Sequence, residues 1–362
     1  MEYLKLEDCC EILDSKRIPV TANKRRNGKY PYYGANGLQD YVDDYIFDDE
    51  LVLLAEDGGN FNSKDKPIAY RVSGKCWVNN HAHVLKPKQG ISVDYLCYAL
   101  MYYDVSGLVN GATRQKLTQA TMRKMKIPIL SEIDQMRIVE IMNSIQELKN
   151  DYRSILHKLD ILIKARFIEM FGDLKNNEKD WDLKTFEEMS VLITDGEHST
   201  PKRTKEGIYL LSARNVLNHS LQLKDVDYIN RDEYLRIAKR VVPKKGDILI
   251  SCSGTIGRCC SVPDSLQLQM VRSVALIRFK EVINPIFAEY MITSDYLQEQ
   301  INSSKTMSSQ ANLFQGKIRK LKGFLPPTEL QQQFADFVQQ VDKSRFDIKK
   351  SIIELEREVV YD

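Results

Sequence analysis

Apolar residues recur at Ile138, Ile141, Ile145, Leu148, Tyr152, Ile155, Leu159 and Leu162, in steps that alternate between three and four. That spacing is the heptad signature of a helix with one narrow apolar stripe. No Pro or Gly other than those at the flanks interrupts the stretch from Ile129 to Phe171, and Gly172 suits a helix stop. The pattern predicts a helix of about 40 residues, roughly 60 Å long at ~1.5 Å per residue. A second stripe follows Thr328-Glu329-Leu330-Gln331 and runs through Phe334, Phe337, Val341, Ile348, Ile352, Leu355 and Val359. It breaks at Ser344 and Arg345, a candidate docking surface for another subunit. A narrow stripe needs a partner helix. The two helices are therefore expected to pair antiparallel. Their interface is expected to use Ile138, Ile145, Leu148, Ile155, Leu159 and Leu162 on one side, and Phe334, Phe337, Val341, Ile348, Ile352 and Leu355 on the other.

Between the helices the pattern is mixed α/β. Glu50–Ala55, Ala82–Leu85 and Ile248–Ser251 read as strands, Val93–Tyr103 as a helix, and Asn284–Ser303 as helical. Asp173–Asp180 is a polar link. The fold class is α/β in the α+β sense, with two globular domains at residues 1–128 and 173–325. Long helices at 129–172 and 326–362 separate them as an antiparallel coiled coil.

The chain repeats itself. Arg123-Lys124-Met125-Lys126 recurs as Arg319-Lys320-Leu321-Lys322, in each case as a basic, helix-like start closed by an apolar, Pro-containing stop. Leu6-Glu7-Asp8 matches Phe186-Glu187-Glu188, Gly28–Gly37 matches Gly207–Val216, and Glu50–Gly59 matches Asp247–Gly257. The order is the same in both copies while the residues between them diverge. A repeat this long is a duplicated domain rather than a solenoid unit. One scaffold carrying two recognition tasks is the reading this supports, giving the whole chain an internal pseudo-two-fold repeat.

Composition narrows the chemistry. The net charge is only +2, so a basic partner surface must be local. The 7 Cys include no CxxC or zinc spacing, which fits reduced thiols in a cytoplasm. No apolar run approaches the ~18 residues of a membrane span, and the N-terminus has no secretory pattern. No P-loop is present, and Ser253–Gly257 follows no dinucleotide fingerprint. Pro326-Pro327 lacks the flanking residues an amino-methyltransferase uses. His81 and His83 alternate on a strand, but no helper carboxylate for a metal is evident. No catalytic and no metal site is expected.

Binding chemistry is present. In the first copy Lys24, Arg25, Arg26, Asn27 and Lys29 precede Tyr32, and Asn60, Asn62, Lys64, Asn80, Arg114 and Lys116 follow. In the second copy the candidates are His198, Lys202, Arg203, Lys205, Arg214, Asn215, Arg258, Arg272, Gln310 and Asn312. Lys and Arg neutralise phosphates. Arg also grips guanine, and Asn or Gln grips adenine, in the major groove.

These features together resemble the specificity subunit of type I restriction–modification systems. The residues carrying the resemblance are the Leu-Glu-Asp start, Gly196–Pro201 leading to Tyr209-Leu210-Leu211, the Phe171-Gly172-Asp173 junction, and the Glu/Gln-rich helix starts. The first copy departs from the pattern, with Ile129-Leu130 for Pro326-Pro327 and Ile133-Asp134-Gln135 for Leu330-Gln331-Gln332. The resemblance implies two target-recognition domains, each reading half of a bipartite double-stranded DNA site, with the helices setting the spacer. It implies two modification (methyltransferase) subunits as partners, which bring S-adenosylmethionine for DNA methylation, and restriction (motor-nuclease) subunits that join them. The chain itself would hold no cofactor. Two other readings stand beside it: the DNA-recognition part of a fused restriction–methylation enzyme, and a coiled-coil protein scaffold.

Overall fold

The computed structural model describes residues 2–63, 66–111, 114–264, 266–303 and 312–361, with side chains to residue 355. The chain divides into two compact units, Met1–Arg153 with Lys350–Asp362, and Ser154–Lys349.

Each unit opens and closes with the same device. In the first, strand Glu2–Lys5 runs into the short helix Leu6–Cys9 and pairs antiparallel with Lys126–Ile129. In the second, Asp182–Thr185 runs into Phe186–Met189 and pairs with Lys322–Leu325. Leu6 N–H donates to Met125 C=O at 2.8 Å, and Phe186 N–H to Leu321 C=O at 2.8 Å. Leu6 and Phe186 are fully buried, so burial of one apolar side chain anchors each entry. In the first copy the basic, Pro-stopped segment therefore differs from the expected helix, whereas in the second Lys317, Arg319 and Lys320 do lie in the helix Gln315–Lys320. The helical turn ends at Met122, and Pro128 sits in the strand opposite Tyr3. A two-stranded sheet consists only of edges, where Pro is tolerated.

The first unit is centred on a six-stranded sheet. Its strands run in the order Cys10–Ile12, Ala82–Pro87, Phe47–Ala55, Ala69–Val78, Asn27–Gly34, Gly37–Val42. In the second unit one four-stranded sheet runs Ser190–Asp195, Val274–Phe279, Ile248–Ser251, Cys259–Ser261. Central strands such as Ile248–Ser251 are buried on both faces, hence their continuous apolar sequence. The parallel pairing Tyr32↔Trp77 of the first unit has its match in Leu210↔Gln269 of the second. The segment expected as one helix after Asn284 is two, Pro285–Thr293 and Asp295–Ser303, broken at Ser294.

The long helices span Glu132–Phe171 and Thr328–Tyr361. Within the second unit they pair antiparallel. Phe167 and Phe171 lie 5.2 and 5.6 Å from the Phe334 ring, while Asp160 meets Arg345 farther along. Arg345 also pairs with Asp342 at 3.0 Å, and its side chain is 17% exposed. At the polar break in the stripe Arg345 thus joins the two helices through an ion pair, while Ser344 beside it is exposed. The stripe also changes phase. Leu162 is 47% exposed, and Ile163, Phe167 and Phe171 take the buried positions. A straight helix drifts about 20° per heptad, so four-residue steps replace the heptad where the helix enters the domain core. Leu148 and Ile155 are likewise exposed, whereas Phe334 and Val341 are buried. Leu159 and Phe337 pack on the same core half-buried, and Ile138, Ile145, Ile348, Ile352 and Leu355 are half-buried.

One polar residue anchors each long helix. Buried Gln135 accepts from Ser92 N–H at 2.9 Å and donates to Gly90 C=O at 2.9 Å and Leu130 C=O at 3.1 Å. Buried Gln331 accepts from Asn284 N–H at 2.9 Å and donates to Val282 C=O at 3.1 Å and Pro326 C=O at 2.8 Å. Ser92 and Asn284 each cap the helix that packs beside it. The equivalence shifts the expected alignment by one: Gln135 matches Gln331, not Gln332.

Candidate nucleic-acid interface

In the first unit strand Phe47–Ala55 ends in Glu56 and Asp57, and three loops gather around that end. Glu56 N–H donates to His81 C=O at 2.8 Å, Leu117 N–H to Glu56 C=O at 2.7 Å, and Gly58 N–H to Gln115 C=O at 3.2 Å. Asn36, in the turn of the Asn27–Val42 hairpin, donates its amide to Gly58 C=O at 3.0 Å. Gly58 adopts φ +61°, which an L side chain disfavours. Arg114 meets Asp57 at 2.7 Å, and Lys116 meets Glu56 at 2.9 Å. Both cations remain half exposed. Asn62 and Asn80 are exposed, and Asn60 donates to Pro67 C=O at 3.3 Å. Lys64 lies outside the described residues.

The basic segment at 24–29 does not join this rim. It lies at the other end of strand Asn27–Gly34, roughly 23 Å away at ~3.3 Å per residue. Lys24, Arg26, Asn27 and Lys29 are exposed, and the Arg26 side chain is 85% exposed. Tyr32 is interior and is corrected as a contact candidate, and Arg25 is half-buried against it. The Arg25 guanidinium lies 4.2 Å from the Tyr32 ring centroid and pairs with Asp40 at 3.3 Å. Tyr32 is buried, and its hydroxyl bonds both the N–H and the C=O of Val20.

In the second unit the equivalent strand ends at Ser251, and contacts tie Arg203, Arg214, Arg258, Arg272 and Asn312 to that end. Cys252 N–H donates to Ser273 C=O at 2.8 Å and Leu313 N–H to Cys252 C=O at 2.9 Å. These repeat the Glu56–His81 and Leu117–Glu56 bonds. The bridge Asp57↔Lys116 recurs as Ser253↔Asn312. Asn79 N–H to Tyr33 C=O, 3.0 Å, recurs as Val271 N–H to Leu211 C=O, 2.9 Å. By these matches Asn36, Asp57, Asn80 and Lys116 correspond to Arg214, Ser253, Arg272 and Asn312.

Around this second rim, Asp227 joins Arg203 at 2.9 Å to Arg214 at 3.2 Å. Arg258 donates to Ala213 C=O at 2.8 Å, and its buried Nε has no partner among the described residues. Lys202, Lys205 and Arg272 are exposed without an ion-pair partner among the described residues. His198 stands 3.7 Å from Asp195. Asn215 is corrected: it is fully buried, accepting from Ser212 and donating to Gln222 C=O and Asp225 C=O. Its amide holds the loop that presents Arg214. Gln310 lies outside the described residues.

Sequence reasoning missed one group. Asp14, Glu56 and His83 are buried with ligand atoms within 4.8 Å of one another. His83 Nδ1 meets Asp14 Oδ2 at 2.6 Å and Nε2 meets Leu117 C=O at 2.9 Å. Both neighbours are acceptors, so both ring nitrogens must donate, and neither keeps a lone pair for a metal. Arg17 and Lys116 already neutralise Glu56, at 2.6 and 2.9 Å. His81 is not on the strand with His83 but in the preceding turn, bonded to Asp57 at 2.6 Å. Helper carboxylates therefore exist, but the set does not fit a metal. The thiols are equally occupied by packing: burial pushes Cys10, Cys76, Cys97, Cys252 and Cys260 up to about 12, out of reactive range.

A family model described as the type I restriction modification DNA specificity domain matches the chain twice, over residues 1–158 and 178–357. A Haemophilus influenzae protein named as a type I restriction enzyme specificity subunit is 30% identical over 270 residues, 71% of this chain and 67% of that protein. The S subunit of a type I restriction–modification system from M. genitalium has a similar structure, with TM-score 0.54 at 12% identity, covering 99% of this chain and 93% of that one. A chain from a structure of type I R-M complex assembly and conformational transition matches with TM-score 0.58 at 12% identity, over 99% and 95% of the two chains.

Proposed function

This chain belongs to the type I restriction–modification DNA specificity family, and on that premise we propose that its two rims each read one half of a bipartite double-stranded DNA site. As a specificity subunit it recognises DNA for a restriction–modification complex and leaves catalysis to its partners. The family does not favour the fused-enzyme or scaffold readings.

One observation carries the half-site reading. The hydrogen bonds that build the rim are duplicated, while the side chains on equivalent positions differ. Asn36, Asp57, Asn80 and Lys116 stand where the second unit has Arg214, Ser253, Arg272 and Asn312. A constant frame with changed donors and acceptors is what two different base sequences require. The exposed residues Lys24, Arg26 and Lys29, away from the rim, suit phosphate contacts that position without specifying.

The finer assembly is also part of the proposal. Two modification subunits would dock on the long helices and supply S-adenosylmethionine, restriction subunits would join, and the complex would act in the cytoplasm. Exposed apolar side chains support such docking: Met136 and Ile141 in the first unit, and Ile161, Leu162 and Ile168 in the second. Among the described residues no helix is long and apolar enough to cross a membrane.

The test is binding of the specific duplex at several salt concentrations. Replacing Lys24 and Arg26 by Ala should lower affinity for all sequences and reduce the log–log salt slope by about 0.9 per lost contact. The methylated motif of a host expressing the chain with its modification subunit should be unchanged by that double substitution. An unaltered slope would remove the 24–29 segment from the interface, and a motif without two separated halves would refute the half-site reading.

A further inference from the structure

The first unit contains a buried ionic cluster that its own duplicate lacks. Matched hydrogen bonds and strand register place Glu56 opposite Cys252 and His83 opposite Ala275, while Asp14 corresponds to Asp195. The same frame therefore closes around an uncharged pair in the second unit. Burying a paired His and two carboxylates is costly, and the cost is offset only if every lone pair and proton is matched. Here they are matched. Asp14 accepts from His83, from Val84 N–H at 2.9 Å and from Gln119 at 2.9 Å. Glu56 accepts from Arg17 and Lys116. Arg17 also donates to Ala82 C=O at 2.7 Å.

Three of the cluster's contacts lead to one segment. Glu56 holds the Lys116 ammonium, Glu56 C=O accepts from Leu117 N–H, and His83 Nε2 donates to Leu117 C=O. Residues 116–117 are thereby tied three times to buried groups. Lys116 is in turn tied to Asn110 by two backbone bonds of 2.8 and 3.0 Å. In the second unit the equivalent Leu313 keeps the backbone bond but faces no His. The ionic ties are thus additions to a frame that is already closed. They fix where a half-exposed cation stands on the rim.

We infer that the buried Asp14–His83–Glu56 cluster is a positioning device that sets the half-site preference of the first unit by holding Lys116 and its segment in place. The inference rests on the half-site reading above and goes beyond it in assigning specificity to residues that touch no DNA. Lys116 is the group that meets the base or its adjacent phosphate, and Glu56 and His83 act through it. The fixed ammonium supplies discrimination because a misplaced donor leaves the wrong base tolerated.

The experiment sequences the methylated sites of hosts expressing the full chain, with its modification subunit, as the unaltered protein, Glu56→Gln, His83→Ala and Lys116→Met. The half read by the first unit is the one left unchanged when residues 182–325 are exchanged. Glu56→Gln keeps the volume and releases the ammonium. It should relax base preference at one or more positions of that half by roughly tenfold or more, with the other half and the spacer unchanged. His83→Ala, the residue found in the duplicate, and Lys116→Met should relax the same positions. An unchanged motif in Glu56→Gln overturns the inference. So does equal relaxation of both halves, or loss of all methylation in Glu56→Gln, because either would show a role only in holding the fold. Relaxation of different positions by Lys116→Met overturns it as well. An unaltered protein that yields no two-part motif would instead sink the half-site reading, a separate outcome.

Discussion

At the scale of single residues, the partners around a buried group decide what it does. Asp14 shows this through protonation. Burial opposes its ionisation, yet the His83 hydrogen bond and charge, the Val84 N–H and Gln119 outweigh burial and hold the carboxyl below its ordinary value. Glu56 behaves alike: Lys116 and Arg17 outweigh its burial. A carboxyl with a lowered folded-state value stabilises the fold above the ordinary carboxylate range and loses that contribution as pH falls through it, below about pH 4. Asp14→Asn should cost about 3–5 kcal/mol near neutral pH, as removal of one partner from a buried pair does. The gap between the variant and the unaltered chain should shrink as acid is added, and denaturant melts across that range would show it. Parallel curves would mean that Asp14 contributes no titrating stability. None of this cluster was legible in the sequence, because Asp14, Glu56 and His83 are far apart along the chain and only the sheet brings them together. The basic and Asn-rich candidates were legible as a set but not individually. Tyr32, Arg25 and Asn215 carry groups suited to reading DNA, and the sequence does not say that their groups already face one another or the backbone.

At the scale of elements, the long helices were the most legible feature. Their stripes and lengths follow from local spacing alone, and Glu132–Phe171 lies where the pattern put it. The phase near Leu162 was not legible, since it is decided by Phe287 and Tyr290, which pack on Phe167 from another element. Nor was the role of Gln135 and Gln331, which as helix residues look like ordinary solvated amides. Each instead satisfies one N–H and two C=O groups where a domain helix begins beside a long one. Gln331→Leu would leave the Asn284 N–H and the Val282 and Pro326 carbonyls without that partner. Unmet buried groups cost about 1–3 kcal/mol each before relaxation, so a loss of at least that size is expected in chemical denaturation. Gln333→Leu, two positions along on the exposed face, should stay within about 0.5 kcal/mol. Equal effects of the two substitutions would show that the amide is not an anchor.

At the scale of the whole molecule, duplication was legible from motif order, but its register needed the hydrogen bonds. The entry strands are offset by 180 residues, Glu2–Lys5 against Asp182–Thr185, and the closing strands by 196, Lys126–Ile129 against Lys322–Leu325. The difference has accumulated between constant ends, which identifies where a reading unit can be exchanged. Asp182 and Leu325 are paired at the end of one two-stranded ladder. A graft of residues 182–325 from a relative moves both strands together and creates no mixed ladder. Phe167, Phe171 and Phe334 remain behind and must meet the graft at positions 287 and 290, where Phe287 and Tyr290 now pack against them. A donor with aromatic residues at both positions should therefore give a folded chimera whose methylated motif changes in one half only, with the other half and the spacer kept. A graft of residues 190–325 splits the ladder, leaving the original Asp182–Thr185 against a foreign closing strand, and it should melt lower than the first. If the first graft changes both halves, the two units do not read independently. If both grafts melt alike, the paired strands are not what closes the unit.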